Sequence, residues 1–150
     1  MPAILTTYDI FDNVIFYIPN AANLETKYDE IRENLDDCID LVEQDYIKLF
    51  MGVVAYDELV AELEKEEPSS EATELQSELT PIIAGLVYYW YRRQNATQTN
   101  TTAETIAEGA VSPAQKMVTA WNRSVKLMED LSEEVDGSEV IIKRINTWGI

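Results

Sequence analysis

The sequence contains no histidine and a single cysteine. Without histidine it cannot build a Ser-His-Asp or Cys-His catalytic group, a Glu-x-x-His di-iron site or a histidine zinc site. One thiol excludes an intrachain disulfide and a cysteine-rich zinc site. Bases are scarce too: 11 Lys and Arg face 28 Asp and Glu, a net charge of −17. Sequence-independent binding of DNA or RNA depends on Lys and Arg neutralising phosphates, and this balance argues against it. The longest nearly apolar run, Pro81 to Tyr91, is far shorter than the ~20 residues of a membrane-spanning helix. The start, Met1-Pro2-Ala3-Ile4-Leu5, has no basic n-region and does not read as a signal peptide. The three N-glycosylation patterns beginning at Asn95, Asn100 and Asn122 are therefore expected to be chance matches, and Cys38 is expected to stay reduced in a cytoplasm.

What is present suits one folded domain. Apolar residues make up 46% of the 150 positions, with three Trp, eight Tyr and three Phe, so a substantial core can form. Thr6 and Asp9 approximate a capping box, which predicts a short helix through Phe16, ended by Pro19. Tyr28, Ile31, Leu35, Cys38 and Val42 recur at helical spacing, with Tyr46 and Leu49 continuing the stripe and acids filling the opposite face. Gly52 is the predicted stop. A shorter helix places Tyr56, Leu59, Val60 and Leu63 on one face and breaks at Pro68-Ser69-Ser70. The next helix starts after Ser69 or Ser70 and should be kinked or divided by Pro81. Beyond Pro81 it is apolar all round and closes with Arg92-Arg93. Residues 94–111 read as a long Thr- and Asn-rich loop. Ser112-Pro113-Ala114-Gln115 is a full helix-start signal, followed by Val118, Trp121, Val125 and Met128 on one stripe. Gly137 ends that region and 138–150 is a short apolar tail. The fold class is thus an all-α bundle of about four helices, a single domain over 1–150 with an arm at 94–111 and a tail at 138–150.

Candidate chemistry is thin. Asp36 and Asp40 share a helix face and could hold a divalent cation or act as an acid–base pair; a solvated acidic face is the preferred reading, because no ligand loop accompanies them. Cys38 lies within an apolar stripe and reads as a small buried hydrophobe rather than a nucleophile. Four consecutive aromatics, Tyr88 to Tyr91, cannot all face one core. Beside two arginines they could stack bases, but subunit contact is favoured. The candidate contact residues are therefore Tyr88, Tyr89, Tyr91, Arg92 and Arg93 on the helix, Thr97, Thr99, Asn100 and Thr101 in the loop, and Ile145, Trp148 and Ile150 in the tail. Only four bases lie in residues 1–91, and the other seven lie in 92–150. An acidic front and a more basic back suit head-to-tail contacts between copies.

The order of features also carries a resemblance. Tyr17-Ile18-Pro19-Asn20 leads to a long helix ending in Phe50-Met51-Gly52. A short helix precedes the run from Leu79-Thr80-Pro81 through Gly85 to Tyr91. A Thr-rich excursion then passes through Glu108-Gly109-Ala110-Val111-Ser112-Pro113 to a helix bearing Trp121-Asn122. This layout resembles the small helical head–tail connector, or neck adaptor, proteins of tailed bacteriophages, notably those of crAss-like gut phages. The resemblance implies a structural virion protein assembled in the bacterial host cytoplasm, with no catalysis, cofactor, metal or membrane. Such subunits form a ring of about twelve copies that docks on the portal, meets the tail or a further neck ring, and extends the DNA channel without binding DNA specifically. About twelve copies at −17 each would carry on the order of −200 charges, and an acidic wall repels phosphate so that DNA slides. A competing reading is a small acidic inhibitor that mimics DNA; its carboxylates would imitate phosphate spacing in a nucleic-acid-binding groove. A third, a metal-dependent carboxylate enzyme, has less to support it.

Overall fold

The computed structural model describes residues 3–95 and 113–145. The fold is all-α, with no strand among the described residues. The chain enters as an extended segment and makes two 3-10 turns, Asp9–Asp12 and Val14–Phe16, in place of the single short helix predicted. Asn13 separates them: its backbone is extended, and its side-chain oxygen accepts the Ile15 N–H at 2.9 Å, a local alternative to helix. The Thr6–Asp9 box does not form, and Tyr8 stands at the cap position without a side-chain bond to the turn it caps. Phe11, Phe16 and Ile18 anchor this segment in the core.

Helix α1 (Asp29–Val42) runs into a π turn (Glu43–Ile47) and then α2 (Lys48–Met51), with right-handed helical backbone at both junctions. The rod is thus continuous. A π turn adds a residue to the helical repeat, which rotates everything beyond it. Leu35, Cys38 and Val42 are buried as their spacing predicts, but Ile47 at the end of the turn and Phe50 beyond it face inward and Leu49 is 56% exposed. Gly52, at φ +92°, ends the rod where the sequence places the stop, and α3 (Val53–Leu63) leaves from it. Ser69 caps α4 (Ser70–Gln94) by accepting the Ala72 N–H at 3.2 Å.

Helix α4 is 25 residues long and is not divided at Pro81. Proline removes one helical N–H and costs about 3 kcal/mol in an open helix. Here Leu79, Ile82 and Ile83 on either side of it are fully buried, and that packing holds the helix together. α4 packs most extensively on α5 (Pro113–Ser132) and next on α1, so its all-apolar stretch is enclosed from two sides.

The α4–α5 seam closes at Gly85. A Cβ there would stand 2.0 Å from Ser124 Oγ and 2.9 Å from the Ala120 carbonyl oxygen. The buried Ser124 hydroxyl donates to the Ile82 carbonyl at 2.9 Å, so the small residue and the hydroxyl fit together. Gly85→Ala is expected to destabilise the fold by about 1–3 kcal/mol despite alanine's better helix propensity, because it must separate the helices. Urea unfolding checks this; an unchanged or raised midpoint would contradict the close approach.

The π turn also brings Glu43 inside, fully buried. One carboxylate oxygen accepts the Ala3 and Ile4 N–H groups at 3.0 and 2.8 Å, and the other faces the Leu5 N–H at 3.4 Å. Gln76 of α4 donates to the Ile4 carbonyl at 2.9 Å. The entering segment is therefore clasped between the rod and α4. Burial pushes the Glu43 carboxyl above the usual carboxylate range, the three N–H groups act against this, and the charge of Asp40 adds to it. Tyr56 of α3 faces the same cluster, its hydroxyl accepting from Gln44 at 3.3 Å; burial first, then nearby acids, push it up to about 12. A carboxyl that is easier to protonate folded than unfolded adds stability below its unfolded pKa, and loses that contribution as pH rises through the folded value. The native chain should therefore gain stability relative to Glu43→Gln as pH falls from neutral toward about 5. Urea unfolding of both proteins across that range tests it, and a flat or reversed difference would contradict the burial argument.

Candidate assembly surfaces

After α5 the chain turns through Gly137, at φ +77°, and comes back across the rod and α5. The Glu139 N–H bonds to the Phe50 carbonyl at 2.9 Å. The Trp121 indole N–H donates to the Lys143 carbonyl at 2.8 Å. Asn122 grips Ile145 in both directions: its amide donates to the Ile145 carbonyl at 3.1 Å and accepts the Ile145 N–H at 2.7 Å. Ile142 is buried, and Val140 and Ile145 pack against the core. The tail, expected to reach out as an arm, is over 138–145 a strap on its own chain. Trp121 was legible as a core position, but nothing in the sequence marked Trp121-Asn122 as the clasp.

The aromatic end of α4 is also used mostly within the chain. Tyr88 is only 3% exposed, which corrects its expected place among the contact residues: α4 is enclosed on that side. Tyr89, Trp90 and Tyr91 are half-buried against the core. Tyr89 meets Trp121 with ring centroids 4.8 Å apart, and Tyr46 meets the same indole edge-on at 5.7 Å. The arginines fold back along the helix, Arg92 over the Tyr88 ring and Arg93 over Trp90, while Arg93 also donates to the Tyr89 hydroxyl at 3.0 Å. Ile145 is spent on the Asn122 clasp. Thr97, Thr99, Asn100, Thr101, Trp148 and Ile150, with the rest of the predicted arm at 96–111, lie outside the described residues.

Among the described residues, Asp36 and Cys38 are held in separate contacts. Asp36 accepts the Tyr8 hydroxyl at 2.7 Å; burial, then this bond and the carboxylate charge, push Tyr8 up to about 12. Cys38 is buried, its thiol facing the Gln94 side-chain oxygen at 3.4 Å and pushed up to about 11 by burial and the charge of Asp37, which favours an inert thiol. Among the described residues no group of three or more acidic, Cys or His side chains is placed to hold a metal ion. No helix among them is long and apolar enough to cross a membrane.

Surface features are more informative. Around Gly52, Leu49, Val53 and Val54 are 56%, 52% and 71% exposed, an aliphatic shoulder to which Leu49 is added by the register change at the π turn and Val53 and Val54 by the first turn of α3. On α1, Glu30, Glu33 and Asp37 are exposed on one acidic face. Along α5, two further grooves carry opposite charge. One, near its start, is lined by Val14, Ile15, Lys116 and Arg123, with Lys126 and Arg144 adjoining. The other, at its end, is lined by Glu78, Pro81, Leu127, Asp130, Leu131 and Glu134 and continues to Glu71 and Glu74. The chain matches no protein-family model, no curated protein and no solved structure.

Asn122→Ala removes both bonds to Ile145, each worth about 1 kcal/mol at most in this half-exposed setting. It should leave helicity intact while making 138–145 markedly more sensitive to protease and faster in amide exchange. Unaltered protection there would show that the Glu139 and Trp121 bonds and the apolar contacts hold the strap without the Asn122 clasp.

Proposed function

We propose that this chain is a structural subunit of a bacteriophage head–tail connector ring, one that docks on the portal and prolongs the DNA channel toward the tail. The observation that carries the reading is the exposure of Leu49, Val53 and Val54 around Gly52, beside a packed core among the described residues. Branched aliphatic side chains gain roughly 25 cal/mol per Å² when removed from water, so a shoulder of this kind favours a protein neighbour. The acidic α1 face supports the same reading from the other side. A wall bearing Glu30, Glu33 and Asp37 repels the phosphate backbone and lets DNA pass without holding it. The biological setting comes from the resemblance of the order of sequence features to that of the connector proteins.

Co-expression of the full chain with a tailed-phage portal protein tests this, read by negative-stain imaging and native mass spectrometry. Closed rings of about twelve copies on the portal are expected. Val53→Asp combined with Val54→Asp should abolish the ring while circular dichroism stays unchanged. A stable one-to-one complex with a nuclease or repressor, and no ring, would overturn the proposal in favour of a DNA mimic.

A further inference from the structure

The two charged grooves lie on one side of α5, in succession. Lys116, Arg123, Leu127 and Asp130 follow each other at helical spacing, with Glu134 just past the helix end. The stripe is basic where the helix begins and acidic where it ends. Among the described residues no acid lines the first groove and no base lines the second. Arg123 and Lys126 are exposed and make no ion pair with a described residue. Each groove also has an apolar component, Val14 and Ile15 in one and Pro81, Leu127 and Leu131 in the other.

We infer that copies of this chain join head to tail, the acidic groove at the end of α5 in one copy receiving the basic groove at the start of α5 in the next. Charge complementarity selects the occupant. Glu78 illustrates the demand on the acidic side: burial, then the neighbouring charges of Glu134 and Glu74, push its carboxyl above the usual range, and arriving cations relieve that repulsion. A nucleic acid is a poor occupant of the basic groove, because the chain around it carries −17. The contact joins two different surfaces, so every added copy leaves one groove of each sign open. Such a series ends only by closing into a ring, and for that closure the inference rests on the connector reading above.

Sedimentation velocity of the full chain at low and at high salt, with two charge-reversed variants, tests the contact. The variants are Arg123→Glu with Lys126→Glu, and Glu74→Lys with Glu78→Lys. Circular dichroism verifies that both fold. The native chain should self-associate weakly at low salt and dissociate at high salt. Each variant alone should associate about tenfold more weakly or worse, and an equimolar mixture should recover association, because each reversed groove then meets a complementary partner. A native chain that stays monomeric, variants that associate like it, or a mixture that does not recover would overturn the inference. Portal-bound rings that form regardless of the reversals would overturn this interface and leave the connector reading standing. Open-ended oligomers that the reversals abolish would support the interface and overturn the connector reading.

Discussion

Two helices come together at Gly85 more closely than any other residue type would allow, and the rest of the molecule is arranged around that approach. Ser124 fills the space a side chain on Gly85 would need, and donates its hydroxyl to the Ile82 carbonyl. With α4 and α5 locked there, α4 can continue past Pro81 without a break and offer its other side to α1. The rod then covers the remaining apolar surface of α4, and Glu43 and Gln76 clasp the entering chain against both. On the far side, α5 presents Trp121 and Asn122 to the returning tail. One seam thus fixes the core helix and both ends of the described chain.

The same arrangement decides what remains for the outside. Because α4 is enclosed, its aromatic run serves mainly the interior, and the surplus adhesive surface appears elsewhere. The π turn rotates Leu49 outward beside Val53 and Val54. Helix α5, held by its opposite face, leaves a stripe that changes sign along its length. On the proposed connector reading, the exposed aliphatic residues, the acidic α1 face and the bipolar stripe would each meet a different neighbour.

Much of the fold was legible because helices record themselves in spacing. Leu35, Cys38 and Val42 mark α1; Trp121, Val125 and Met128 mark α5; Gly52 and Pro113 mark boundaries through their backbone chemistry and Ser69 through its capping hydroxyl. What escaped was non-local or displaced by one residue. A π turn leaves no composition signature, so the register beyond Val42 was misplaced and Leu49 was assigned to the core. Glu43 reads as one acid among 28, and only the arrival of a segment some forty residues earlier in the chain makes it a buried clasp. Pro81 was read by its local cost, which the burial of its neighbours outweighs. The charge difference between the two halves was visible, but its concentration on one stripe of α5 required the packing of α4, the first turns and the tail.

Amide hydrogen exchange across the native chain tests the seam most directly. If the approach at Gly85 is what the structure depends on, amides of Ile82 to Tyr88 and of Ala120 to Met128 should be the slowest to exchange, opening only with global unfolding, while those of α3 and of 138–145 exchange through smaller openings. Slowest exchange in α1 and α2, with the α4–α5 amides released first, would contradict the account.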